Sequence, residues 1–303
     1  MAIKAVKATI NGQTYNLTQN MSTGKWEATI TAPGKTSYNQ AGGYYNVSVL
    51  ATLATNDAGT NGSADATTIN GLKLYVRETV APIITIVSPA AGAYVTNSKQ
   101  PVTFTVVDEA GGSGVDISTL VVKQDSVAVA AGAITSTAIA NGYSVTYTPS
   151  AVLTDGKHTV TIDCKDHDGN AAKQKETSYT IDTVPPTLNV TSPADGFITN
   201  ANSVSVAGTT NDATSSPVTV SIMLNGKDQG AVTVADNGSF AKTVTLSEGS
   251  NTIIVKARDV AGKESSVTRT VILDTSVPNI TAATITPNPV DAGATMVISV
   301  TIE

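Results

Sequence analysis

Glu78-Thr79-Val80-Ala81-Pro82, Asp182-Thr183-Val184-Pro185-Pro186 and Asp274-Thr275-Ser276-Val277-Pro278 are three copies of one phrase, and their spacing decides the fold. The closing prolines stand at 82, 186 and 278, steps of 104 and 92 residues, each the length of one small domain. A second phrase keeps this step: Asn56-Asp57-Ala58-Gly59, Asp166-His167-Asp168-Gly169 and Asp259-Val260-Ala261-Gly262 each precede a linker. Ser88-Pro89 and Ser192-Pro193 repeat it again, 104 residues apart. The chain is thus an array of similar units, with boundaries predicted at 1–78, 79–182 and 183–274 and a partial repeat at 275–303.

Alternation fixes the class of these units as all-β. In Thr159-Val160-Thr161-Ile162-Asp163-Cys164-Lys165 every second residue is apolar, as in a strand with one buried face, and Ile253, Val255 and Ala257 repeat the pattern. Cys164 therefore aligns with Ala257, which predicts a small buried side chain and not a reactive thiol. A lone cysteine also excludes an intramolecular disulfide. In the first unit the same reasoning predicts core positions at Trp26, Ala28 and Ile30, and at Tyr45, Val47, Val49, Ala51 and Leu53.

Composition removes several functions. A net charge of −6 and pI near 4.9 provide no footprint for nucleic acid. No apolar run reaches the length of a membrane-spanning helix. Only His158 and His167 are available for acid–base work, and no nucleophile elbow, zinc motif or phosphate loop is present, which predicts a protein without catalytic activity.

Gly249-Ser250-Asn251-Thr252-Ile253, the Asp259-Val260-Ala261-Gly262 turn, the Ser192-Pro193 step and the Asp182 linker phrase resemble bacterial immunoglobulin-like repeats. The resemblance implies tandem immunoglobulin-like β-sandwiches in an elongated array. It covers the second and third units well and the first more loosely. Gly43-Tyr44-Tyr45-Asn46-Val47 is similar to the late strand of such domains, where a tyrosine bonds upstream backbone; His158 and Asn251 stand near that point in the later units. Repeats of this family occur in surface adhesins, secreted enzymes and structural proteins of tailed bacteriophages. Met1 to Ile10 reads as a strand and lacks the apolar core of a secretory signal, although a mature or trimmed chain would read the same way. This favours a virion tail, baseplate or decoration protein assembled in the cytoplasm, with other virion proteins or itself as partners. The alternatives are a cell-surface adhesin stalk and an accessory segment of a secreted glycan-degrading enzyme.

Three sets of residues are candidates for function. Asp108, Glu109 and Asp116 in a glycine-rich loop, with Asp166, Asp168 and Asp182, offer the oxygen ligands calcium prefers, against the plainer reading that Asp and Gly make turns; no cofactor is otherwise required. Tyr38 and Tyr44 flank Asn39-Gln40-Ala41-Gly42-Gly43 in the unit that holds the single Trp and five of nine Tyr, and are candidates for contact with a host glycan or protein surface. The last segment reads as a hairpin whose Ile280, Ile285, Val297 and Val300 are candidates for assembly by strand addition.

Overall fold

A computed structural model describes residues 3–53 and 66–303, so the Asn56-Asp57-Ala58-Gly59 phrase lies outside the described residues. The described residues are built into strands, with a 3-10 turn at Ala131–Ala133. The chain divides into two compact units, residues 1–181 and 182–303.

The first unit opens with β1 (Ile3–Ile10), β2 (Gln13–Gln19), β3 (Trp26–Glu27), β4 (Tyr45–Leu53) and β5 (Ala66–Leu74) in one sheet ordered β3-β2-β1-β4-β5. Asn11 and Gly12, at φ of 47° and 76°, turn β1 into β2, the two-residue hairpin geometry that needs left-handed backbone. Among the described residues this part buries only Val6, Ile10 and Tyr45 as apolar core. Trp26 departs from expectation. Its strand is two residues long, Trp26 is half-buried and Ala28 is exposed, and among the described residues no second layer is seen over that edge of the sheet.

Next in the same unit come β6 (Ile83–Ser88), β7 (Ala93–Val95), β8 (Val102–Val107), β9 (Val115–Gln124), β10 (Val127–Ala128), β11 (Ile134–Ile139), β12 (Gly142–Tyr147), β13 (Gly156–Asp166) and β14 (Lys175–Ile181). They form two sheets, β10-β9-β13-β14-β7 and β11-β12-β8-β6, which pack face to face as a sandwich. Val102, Phe104 and Val106 of β8 oppose Val160, Ile162 and Cys164 of β13, all at most 2% exposed. Each fully buried aliphatic side chain contributes roughly 1.5–3 kcal/mol.

The second unit repeats this plan: β15 (Thr187–Ser192), β16 (Phe197–Thr199), β17 (Ser203–Asn211), β18 (Thr219–Leu224), β19 (Lys227–Asp228), β20 (Ser239–Thr245), β21 (Gly249–Arg258) and β22 (Glu264–Leu273), in sheets β15-β17-β20 and β16-β22-β21-β18-β19. Ile253, Val255 and Ala257 are fully buried, as the alternation predicts. Both sandwiches share a parallel edge pair, β7 on β14 and β16 on β22.

β23 (Ile280–Thr286) and β24 (Val297–Ile302) form the expected terminal hairpin and pair only with each other among the described residues. The register pairs Ile280 with Ile302, Ala283 with Val300 and Ile285 with Ile298, so one face is apolar and exposed. Val297 pairs with Thr286 on the opposite face, apart from the other three assembly candidates.

The polar corner recurs with three different side chains. Tyr45 Oη donates to the Lys35 carbonyl at 3.2 Å, His158 Nε2 lies 2.8 Å from the Thr154 carbonyl, and Asn251 Nδ2 donates to the Ser247 carbonyl at 2.7 Å. The corner therefore extends to the later repeats, where no tyrosine signals it.

Candidate cation sites

Each linker phrase opens with an acid, and in both sandwiches that acid meets another carboxylate 30 residues later. In the first unit Glu78, Asp108 and Glu109 bring one carboxylate oxygen each to within 4.8 Å of one another. In the second unit Asp182, Asp212 and Asp259 do the same. Two oxygens on opposite sides of one calcium ion, at bonds of about 2.4 Å, stand about 4.8 Å apart, so each triad could hold a single ion.

Topology explains the convergence. Asp108 and Asp212 follow the ends of β8 and β17, and the linker acid precedes the strand paired with each, β6 and β15. Asp259 heads the turn after β21, which enters at the same end.

Protein donors satisfy only part of each cluster. Asp108 Oδ2 accepts from the Gly114 amide at 2.7 Å and Glu78 accepts from the Ser113 amide, but Asp108 Oδ1 and Glu78 Oε2 have no hydrogen-bond partner. Asp108 is 3% exposed. In the second cluster Asp182 accepts from the Ser215 hydroxyl and Asp259 Oδ1 from the Lys263 amide, while Asp259 Oδ2, in a residue 5% exposed, is unpartnered. A buried carboxylate oxygen without a donor is costly unless a proton or a cation compensates it.

In the first cluster a proton on Glu109 could take the cation's place: the neighbouring Glu78 carboxyl, with burial adding to it, pushes Glu109 up to about 7. Burial pushes Glu78 upward too, but hydrogen bonds from Glu109 and Ser113 outweigh it and hold Glu78 below its ordinary value.

Gly112 leaves the space that the three carboxylates share. A Cβ there would lie 2.6 Å from Glu78 Oε2, 2.7 Å from Asp108 Oδ2 and 2.8 Å from Glu109 Oε1. The donor set, the orphaned oxygens and this cradle all fit a hard divalent cation.

Of the acids singled out from sequence, Asp108, Glu109 and Asp182 join these clusters. Asp116 falls outside, accepting from Ser118 and lying 4.0 Å from His167 Nδ1. Asp166 accepts from Asn170 through both oxygens, and Asp168 Oδ2 from Thr36 at 2.6 Å and the Glu78 amide at 3.0 Å; these two serve turns and the seam between the first sheet and the following sandwich. Glu78, Asp212 and Asp259 were missed, although Glu78 and Asp259 head repeated phrases and the interval of 30 residues is present twice. Tyr38 stacks on His167, centroids 4.5 Å apart at 9°, within that same seam. Tyr44 instead borders an open groove.

Comparison with known proteins tiles the two sandwiches. Residues 88–183 match the model of the bacterial Ig-like domain, and residues 186–275 that of glucodextranase domain B. Bacillopeptidase F of Bacillus subtilis (strain 168) is 31% identical over 121 residues, which is 40% of this chain but 8% of that protein. The chain thus spans under a tenth of this relative. Similar solved structures include fibronectin(III)-like modules of Clostridium thermocellum CbhA, at 17% identity over 63% of this chain and 94% of theirs with a TM-score of 0.40. A 1.5-MDa bacterial ice-binding adhesin aligns at 21% identity over 90% of this chain and 88% of its own, with a TM-score of 0.31. The family matches and the all-β architecture support tandem Ig-like domains of bacterial type. No helix among the described residues is long and apolar enough to cross a membrane.

Proposed function

We propose that this chain is a non-catalytic array of Ig-like domains within a larger secreted or cell-surface protein, and that calcium at the two carboxylate triads fastens each linker acid to the sandwich that follows it. The observation that carries this reading is the repetition of Glu78/Asp108 and Asp182/Asp212 at one interval, each pair joined by a further carboxylate and each triad holding an orphaned buried oxygen. Bound calcium would contribute charge compensation and a crosslink from the linker to one loop in the first triad and to two in the second. The chain's own residues then position it: Gly114, Ser113, Ser215 and Lys263 orient carboxylates from behind, as backing donors do at metal sites.

The groups that could perform chemistry are otherwise committed. His158 is held between Asp125 and the Thr154 carbonyl, His167 is stacked under Tyr38, and Cys164 is buried with its thiol pushed up by burial. A secreted or surface setting is supported by the partial likeness to Bacillopeptidase F and by the glucodextranase domain B match. Placement on a phage virion rests on the sequence resemblance alone and gains nothing from these relatives.

Calorimetric titration of the calcium-stripped chain tests the proposal. Two binding events are expected, one removed by Gly112→Ala and the other by Asp259→Asn, with calcium raising the melting temperature of the wild type. Absence of calcium binding to the folded wild type, or binding indifferent to both variants, overturns it.

A further inference from the structure

The first sheet carries a feature unrelated to the cation clusters: an open groove of about 550 Å³ on its outer polar face. Its floor comes from the pleat. Thr9 pairs with Ser48 across β1 and β4, and Asn46, two residues before Ser48, points to the same side. The register between β4 and β5 shifts here, so that Asn70 and Gly71 together oppose Ser48. This bulge, with Gly71 at φ 84°, turns Asn70 into the groove's lining. Asn11 of the hairpin turn closes one side, and Gln40 and Tyr44 of the loop before β4 close another.

What distinguishes the groove is its chemistry. Asn11, Gln40, Asn46 and Asn70 all line it, and none of their side-chain amides is engaged in a hydrogen bond among the described residues. Each free amide offers two donors and an acceptor, a match for vicinal hydroxyls. Tyr44 adds a ring and a hydroxyl at the rim, steadied by Gly42, which lies against the ring, and by Lys73 Nζ 4.4 Å from its centroid. None of the lining residues is charged, and Lys73 at the rim is engaged over the Tyr44 ring. The groove's floor, Thr9, Asn46 and Ser48, lies on β1 and β4, inner strands paired on both sides, which offer no main-chain ladder to an extended peptide.

We propose that this groove binds a neutral oligosaccharide, with Asn46 and Asn70 bonding its hydroxyls and Tyr44 covering a sugar ring. The volume lies within the range of small-ligand pockets, and the openness of the site to solvent suits a chain of sugars passing through.

The full chain would be screened by saturation-transfer NMR against neutral gluco-, manno- and galacto-configured tri- to hexasaccharides, with acidic oligosaccharides and a peptide library alongside. The expected result is binding of at least one neutral oligosaccharide, weakened about tenfold or more by Asn46→Ala and by Tyr44→Ala and unchanged by Asn189→Ala in the second unit. Asn46 is exposed, so its variant should keep the wild-type melting temperature even if Tyr44→Ala does not. Failure of every neutral oligosaccharide to bind at millimolar concentration overturns the proposal. So does binding that survives Asn46→Ala, or a groove that takes up only peptides or acidic sugars.

Discussion

Asn170 Nδ2 donates to Asp166 Oδ2 at 2.8 Å, a bond that the corresponding turn at Asp259 lacks. Asp166 and Asp259 occupy the same position: the Asp166 amide bonds the Asn170 carbonyl as the Asp259 amide bonds that of Lys263, and the amides of Gly169 and Gly262 close the turns alike. Where the first sandwich has Asn170 the second has Lys263, so Asp259 Oδ2 stays without a donor and turns to the cluster. The first sandwich supplies its third carboxylate from Glu109, where the second has Ala213. Lys263→Asn should therefore cap Asp259 and weaken calcium at that triad by about tenfold or more. Titration in a Gly112→Ala background isolates the site; unchanged affinity would show that Asp259 is not a ligand.

The first triad should respond to pH near neutrality. Glu109 without calcium holds its proton up to about 7, and a cation must displace it. In an Asp259→Asn background, calcium affinity should be steady above pH 7 and fall by about tenfold for each unit below it, the slope of one released proton. A flat profile from pH 5.5 to 8 would sink the shared-proton account of Glu78 and Glu109.

His158 and Asp125 give the first sandwich a different pH response. Burial pushes His158 down, but hydrogen bonds with the Thr154 carbonyl and Asp125 outweigh it, so the imidazole sits above its ordinary 6.5. Asp125 is pushed up by burial and pulled below 3.8 by bonds from His158 and Thr159. The histidine's contribution is complete below 6.5 and is lost as pH rises through its folded value; the aspartate's is complete above 3.8 and is lost as pH falls. Urea midpoints should show the pair's stabilisation greatest between about pH 4 and 6.5, and Asp125→Asn should flatten that maximum. A variant whose midpoints run parallel to the wild type would disprove the coupling.

Much of this fold was legible because strands with one wet face must alternate. Val160, Ile162 and Cys164, and their counterparts Ile253, Val255 and Ala257, announce their class and their burial. The hairpin of β23 and β24 was legible for the same reason. Trp26 was misread because its burial depends on a covering layer, which alternation cannot report. The acidic triads were half legible: Asp108 and Glu109 sit together in sequence, but Glu78 and Asp259 reach their sites only because the linker and the turn after β21 enter the sandwich at one end. That is a property of strand order. His158 and Asn251 escaped recognition as corner residues because the corner needs a donor to upstream backbone and not a tyrosine as such.

Tyr45 tests how far the first sheet depends on that corner. The side chain is 4% exposed, and its hydroxyl donates to the Lys35 carbonyl in a part of the chain that buries few other apolar groups. Tyr45→Phe keeps the ring and removes the donor, leaving the carbonyl without this partner, which should cost about 1 kcal/mol locally. Because the two sandwiches have cores of their own, the loss should stay in the first sheet. Amide exchange should quicken severalfold in β1 and β4 while β13 and β21 keep wild-type protection. Equal acceleration in all four strands would mean that the first sheet and the sandwiches unfold as one, and unchanged exchange in β1 and β4 would mean that the Tyr45 hydroxyl holds nothing.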